Sequence, residues 1–191
     1  MQPLFDYFKF ARLLNIKDGR IDLMGVPINI IPTAILVDFQ KELVSSMGLE
    51  KAYDKIYGIS KTGSFKYNSE FIKKQGFKDK RIILDWQTKI VTFSGWGNLQ
   101  LSAVDLTNDS VVVKYDNSPF PLEYKKSNYP VDFIATAFTA GGVSAAFGKD
   151  MDSFESKCIA LGDPYCEVIV GLPEKIKTAR LALWKKLKLI A

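Results

Sequence analysis

The stretch FESKCIALGDPYCEVIV, residues 154–170, holds both cysteines of a 191-residue chain that contains no histidine. Cys158 and Cys166 flank a Gly162-Asp163-Pro164 turn, and Glu155 stands three positions before the first thiol. Facing cysteines on a hairpin have three chemical readings. They can be small buried apolar residues, a cross-strand disulfide, or two ligands of a metal ion. Glu155 and Asp132 are the oxygen donors nearest to hand for the third. Glu155 and Cys158 have opposite parity, so a straight strand would point them to opposite faces. Binding one ion together therefore requires a bulge or irregular turn before Cys158.

The missing histidine removes whole classes of mechanism. A Ser-His-Asp or Cys-His nucleophile is impossible, as is any histidine-ligated zinc or haem. GVPIN and GISKTG lack the spacing of a phosphate-binding loop, and GWGNLQ lacks the third glycine of a dinucleotide fingerprint. At 47% apolar and 25% charged residues, the chain can bury a sizeable core. Two cysteines are too few for a disulfide-stapled scaffold. MQPLFDYFKF does not read as a signal peptide. Asp38, Lys41 and Lys185 interrupt the longest apolar runs, so no membrane span is expected. The expected location is cytoplasmic, where thiols stay reduced. The net charge of +5 is concentrated in 73–81 and 175–188, which read as solvated faces rather than a nucleic-acid surface.

The elements that must position the cysteines follow from periodicity. Residues 19–31 alternate and predict a strand pair turning at Met24-Gly25. Residues 32–47 carry a helical stripe of Ile35, Leu36, Phe39, Leu43, Val44 and Met47, closed by Gly48. A second helix places Leu49, Ala52, Tyr53 and Ile56 on one face and should end near Gly58. Residues 80–93 predict a helix with Ile82, Ile83, Trp86, Ile90 and Phe93 in register. After Gly95-Trp96-Gly97 the period falls to two. Leu99, Leu101 and Ala103 alternate, Asn108-Asp109 turns, and 111–115 is β-branched, giving a hairpin.

NSPFPLEYKKSNYP reads as a proline-bearing loop. Residues 131–147 predict a helix whose middle, TAGGVSAAFG, is unusually small. Its paired glycines cost a helix roughly 1 kcal/mol each, which makes sense where another element or a ligand approaches the backbone. Strands over 152–161 and 165–170 set Cys158 opposite Cys166. The last segment, 174–190, sets Ile176, Ala179, Leu183, Leu187 and Ile190 against a lysine face. Helices followed by antiparallel hairpins predict an α+β fold.

Glu155-Ser-Lys-Cys158, followed by Gly162-Asp163 and Cys166, resembles the C-terminal signature of the 4-vinyl reductase domain family, which includes the sensor domains of bacterial phenol- and xylene-responsive activators. GRIDLMGVPINIIPTAILVDFQKELVSSMG (19–48) is similar to the opening of those sensors. YDNSPFPLEY (115–124), PVDFIATAFTAGGVSAAFG (130–148) and GLPEKI (171–176) extend the resemblance over residues 10–176. The resemblance implies an antiparallel sheet of hairpins packed with helices, in a ligand-binding fold shared with trafficking-complex subunits. Residues 1–176 would form the domain, and 177–191 a basic amphipathic helix packed on it or at a dimer interface.

The resemblance also implies a zinc site at Glu155, Cys158 and Cys166, with Asp132 where the sensors carry a fourth, cysteine ligand. The sensors hydrogen-bond a phenolic ligand through a histidine and a tryptophan. Tyr115 stands at the tryptophan position, and the histidine has no counterpart. Register then gives a pocket lined by Trp86, Ile90, Phe93, Tyr115 and Thr136, with Gly142 on its small-residue wall. The implied function is a homodimeric sensory or regulatory domain that binds a small hydrophobic or aromatic molecule and signals to a protein partner. The alternatives are an interaction scaffold of trafficking-subunit type and an accessory protein of tetrapyrrole vinyl reduction. No proton relay or redox cofactor site accompanies the last.

Overall fold

The computed structural model describes residues 11–23 and 25–190. The chain divides into two compact units, one up to Pro32 and one from Thr33 onward. The first is a three-stranded antiparallel meander of β1 (Leu14–Lys17), β2 (Arg20–Leu23) and β3 (Val26–Ile28). The expected pair β2–β3 is present, although Met24 of its turn lies outside the described residues. The added strand β1 pairs with β2 across Asp18-Gly19, whose φ angles are 51° and 75°. Two positive φ values in a two-residue connection suit the twist of a tight hairpin.

The second unit runs α1 (Thr33–Met47), α2 (Leu49–Gln75), α3 (Lys80–Phe93), β4 (Asn98–Asp105), β5 (Ser110–Asp116), α4 (Pro119–Tyr124), α5 (Phe133–Phe147), β6 (Asp152–Lys157), β7 (Cys166–Gly171) and α6 (Pro173–Lys186). Its sheet is antiparallel, in the order β4-β5-β7-β6. Val111, Val113 and Tyr115 of β5 and Cys166, Val168 and Val170 of β7 are buried, every second residue. That period puts one face of the sheet into the core.

Helix α5 is the centre of this unit. Eleven of its fifteen residues are buried, as expected of a helix apolar on all sides. Gly141 explains half of the glycine pair. A Cβ there would lie 2.4 Å from the Lys61 carbonyl oxygen and 2.8 Å from the Phe65 amide nitrogen, so α2 and α5 touch backbone to backbone. Ser64 Oγ reinforces the contact by donating to the Phe138 carbonyl at 2.6 Å.

Several elements depart from the sequence expectation, each for a local reason. Helix α2 does not end at Gly58. It continues to Gln75 and stops at Gly76 in the left-handed conformation. Tyr53, Ile56, Tyr57, Ser64, Asn68 and Phe71 form one buried face along it, and that packing outweighs two helical glycines, worth about 1 kcal/mol each. In α1 the buried residues are Val37 and Gln40, while Ile35 and Phe39 are 57% and 60% exposed. The buried amide is satisfied, with Gln40 Nε2 donating to the Val131 carbonyl at 2.8 Å.

In α3 Ile82 is exposed and Leu84 is buried. In β4 the register slips between Leu101 and Ala103, so Val104 rather than Ala103 turns inward. Such a one-residue bulge reverses side-chain parity. The loop after β5 contains α4, started by Pro119 at its first position, where proline loses no helical hydrogen bond. Helix α6 starts at Pro173, and its anchor is Trp184, packed edge-on against Tyr53 with ring centroids 5.2 Å apart.

The two adjacent glycines should respond oppositely to one methyl group. Gly141→Ala forces α2 and α5 apart and should cost about 1–3 kcal/mol. At Gly142 an added Cβ meets nothing closer than 3.5 Å, so Gly142→Ala should gain up to about 1 kcal/mol of helix propensity. Urea denaturation of the two variants checks this, and equal destabilisation would contradict it.

Candidate functional site

The expected irregularity before Cys158 is present. Glu155 pairs with Val168 and Lys157 with Glu167, so β6 slips by one residue at Ser156. Ser156 Oγ secures the slip by donating to Glu167 Oε1 at 2.8 Å. The chain then leaves the strand at Cys158, whose amide donates to Asp163 Oδ2 at 2.8 Å, and makes a single 3-10 turn over Ile159–Leu161. That turn brings the Ile159 amide to 3.4 Å from Cys166 Sγ. The donor atoms of Glu155, Cys158 and Cys166 consequently lie within 4.8 Å of one another, and all three residues are buried.

Asp132 adjoins this cluster through its backbone. Its amide donates to Glu155 Oε2 at 2.9 Å. Its carboxylate caps α5, accepting from the Ala135 amide at 3.4 Å, and accepts from Ser118 Oγ at 2.8 Å. Glu155 Oε1 is buried with no hydrogen-bond partner. Burial pushes Asp132 up to about 6 against the hydrogen bonds from Ser118 and Ala135. Burial also raises Glu155 well above the carboxylate range, with Cys158 and Asp132 adding to it. A hydrogen bond from the Cys166 thiol pulls Cys158 down to about 7, and giving that bond holds the Cys166 proton in place. No cation contributes to either carboxylate shift. Two buried carboxyl groups beside two thiols, with one oxygen unpartnered, form an acidic donor set short of a positive charge.

A second feature lies on the same side of the sheet. A cavity of about 40 Å³ sits among α2, α3, α5, β4 and β5. Leu84, Gln87, Thr88 and Val91 of α3 face it, together with Asn68, Leu99, Leu101, Val113, Tyr115, Phe138, Thr139, Gly142 and Val143. Tyr115 and Gly142, expected from the sequence, are in this wall. Trp86, Ile90, Phe93 and Thr136 are placed elsewhere. The Trp86 ring stacks on Phe77 at 6.0 Å, Ile90 is buried and Phe93 half-buried. Thr136 backs onto β6, its carbonyl accepting from Ser153 Oγ at 2.7 Å. The expected stripe of α3 is thus one step around the helix from the stripe that faces the cavity.

The sequence reading missed Thr139, one turn beyond Thr136, and the polar pair Gln87-Thr88. The signal for the latter was a run of Leu84, Gln87, Thr88 and Val91 at helical spacing with polar residues inside an apolar face. Ser118, the hydrogen-bond donor to Asp132, carried no signal beyond its place before Pro119.

Cavity and cluster share supports. Tyr115 pairs directly with Cys166 in the sheet. Asp132 starts the helix that carries Thr139 and Gly142 into the cavity wall.

The segment that holds the cysteine cluster and much of the cavity wall has known relatives. Residues 111–172 match the 4-vinyl reductase domain. The matched segment takes in β5, α5 and the cysteine hairpin, and spans less than half of the chain. No curated protein sequence matches. Among solved structures, the phenol-responsive sensory domain of the transcription activator PoxR, determined with phenol, matches with a TM-score of 0.79 at 21% identity, covering 94% of this chain and 96% of that one. A trafficking protein particle complex subunit 3 from Naegleria fowleri, covalently bound to palmitic acid, matches with a TM-score of 0.53 at 14% identity, covering 73% of this chain and 94% of that one. A vinyl-4-reductase family protein from Methanocaldococcus jannaschii gives a TM-score of 0.49 at 16% identity, over 75% of this chain and 82% of that one. The first two likenesses establish a shared fold around the matched segment, in agreement with the expected α+β class.

The buried Ser118 hydroxyl is central to the support of Asp132. Ser118→Ala should cost about 1.5–3 kcal/mol, the range for a hydrogen bond to a charged group. Chemical denaturation measures it, and a loss below about 0.5 kcal/mol would show that the Asp132 carboxylate is held by other means.

Proposed function

We propose that this protein is a ligand-sensing domain that takes a small hydrophobic, ring-sized molecule into the cavity bordered by α3, α5 and the β4–β5 hairpin. The observation that carries this reading is the cavity itself. In an otherwise close-packed core it is walled by Tyr115 from the sheet and Gly142 from α5, in a fold shared with a phenol-responsive sensory domain. Protein interiors leave few voids larger than a water molecule. At about 40 Å³ the space is well below the roughly 150 Å³ that receives benzene in an engineered apolar core. Binding a ring therefore requires α3 to move outward over the sheet, and that displacement is the signal. The receiver is a protein partner or the second copy of a homodimer. No described helix is long and apolar enough to cross a membrane.

The cysteine hairpin fits a metal ion, and zinc suits its donors best, since thiolate sulfur and carboxylate oxygen both bind zinc in closed tetrahedral sites. Glu155, Cys158 and Cys166 would hold it, with Asp132 the fourth donor. The buried, unpartnered Glu155 Oε1 supports this assignment. The ion would supply the positive charge that two buried carboxyl groups lack and would tie the β6–β7 hairpin to the start of α5. Its role is structural, because every proposed donor comes from the protein.

Two outcomes test the reading. A ring ligand at a hundredfold excess over its Kd should add about 2.7 kcal/mol of stability by mass action, and Gly142→Leu should abolish that gain while the protein remains folded. A broad panel of aromatics giving no thermal shift would mean that the cavity is a packing defect. Independently, stoichiometric zinc added to metal-free protein should stabilise it, because metal binding free energy is folding free energy. Glu155→Gln should remove most of that gain while slightly stabilising the metal-free form, since one buried like charge is gone. A metal-free preparation that ignores zinc would remove the ion from the account.

A further inference from the structure

The hydrogen-bond directions around the cavity constrain what can enter it, given the pocket reading above. Thr139 Oγ1 donates its single proton to the Ala135 carbonyl at 2.7 Å. Tyr115 Oη is hydrogen-bonded to the same Thr139 oxygen. A hydroxyl has one proton, so Tyr115 must be the donor in that pair. Its own oxygen keeps an acceptor site. Thr88 Oγ1 likewise gives its proton to the Leu84 carbonyl at 2.8 Å.

The two amides follow the same pattern. Gln87 Nε2 donates to the Gly142 carbonyl at 3.0 Å, and Asn68 Nδ2 donates to the Ser64 carbonyl at 2.8 Å and to Ser64 Oγ at 3.1 Å. Both orientations are set by chemistry, because the opposite flip would put oxygen against a carbonyl oxygen. The polar lining is thus Asn68, Gln87, Thr88, Tyr115 and Thr139, with no charged side chain among the lining residues. Each hydroxyl proton is already committed to protein, and so is each amide nitrogen.

We infer that the cavity is an acceptor-lined site selective for a small, neutral molecule that donates a hydrogen bond, an alcohol or a primary amine, with Tyr115 Oη the specificity-determining acceptor and Thr139 the residue that sets its direction. An acceptor-only ligand such as an aldehyde or ketone finds no donor and leaves a desolvated oxygen unpaired. A carboxylate is excluded more strongly, since no cation lines the wall. Thr139→Val keeps the shape of the side chain but removes the oxygen that holds the Tyr115 proton. Tyr115 then becomes a free donor, and the preference reverses.

The test is a panel of matched size measured by calorimetry on the wild type and on Thr139→Val. It comprises aniline, benzyl alcohol, benzaldehyde, toluene and benzoate, with propan-2-ol and acetone as a smaller pair. On the wild type, aniline and benzyl alcohol should bind about tenfold or more tighter than benzaldehyde, propan-2-ol tighter than acetone, and benzoate not at all. On Thr139→Val, benzaldehyde should tighten about tenfold and the alcohol advantage should vanish. Benzaldehyde binding the wild type as tightly as benzyl alcohol overturns the donor rule while leaving the pocket intact, and so does an unchanged preference in folded Thr139→Val. Failure of every probe to bind folded wild-type protein overturns the pocket reading and the rule with it.

Discussion

Everything in the second unit depends on α5 being buried on nearly every side. A helix in that position cannot turn its backbone ends or its polar atoms to water, so each must be answered from within. Asp132 answers the N-terminus, Ser118 and Glu155 hold Asp132, and Ser144 Oγ takes the Met151 amide at 3.0 Å beyond the other end. Against α2 the helix fits only because Gly141 has no side chain. Such a helix is fixed in rotation and in height, which lets it serve as the wall of a site.

The same constraint joins the cysteine cluster to the cavity. Thr139 lies seven residues after Asp132, about 10 Å along the helix at 1.5 Å per residue. A second link crosses the sheet, where Tyr115 and Cys166 face each other in adjacent strands. Charge brought to the cluster therefore bears on the two residues that set the polarity of the cavity. Helix α3 is different. It reaches the cavity through Leu84, Gln87, Thr88 and Val91 and is tied to α5 by the Gln87 to Gly142 hydrogen bond. Breaking one neutral hydrogen bond of that kind costs about 1 kcal/mol, within the reach of a small ligand. The rigid wall and the yielding wall come from different parts of the chain, as a sensor requires.

Much of this was legible in the sequence. The hairpin around Gly162-Asp163-Pro164 and the bulge that Glu155 and Cys158 demand both follow from period and parity, which are strictly local. The α3 boundaries followed from its capping Asp79 and its apolar run. What failed was choice of face. In α1 and α3 several apolar stripes are compatible with one sequence, and only tertiary packing selects Val37 over Phe39 or Leu84 over Ile82. The length of α2 was missed because Gly58 reads locally as a stop, whereas its cost is small beside the burial of a continuous face against α5. Thr139 was invisible for another reason. Its importance lies in the direction of one proton, which depends on a carbonyl four residues back and a tyrosine from another strand.

The central claim is that a ligand occupies the space between α3 and the α5–sheet wall. Intermolecular NOEs from the ring protons of bound aniline to assigned methyl groups test it most directly. The account predicts contacts to Leu84, Val91, Val113 and Val143, with none to the exposed Ile35. Saturable binding with contacts only to Ile35, or to none of the cavity methyls, would contradict it.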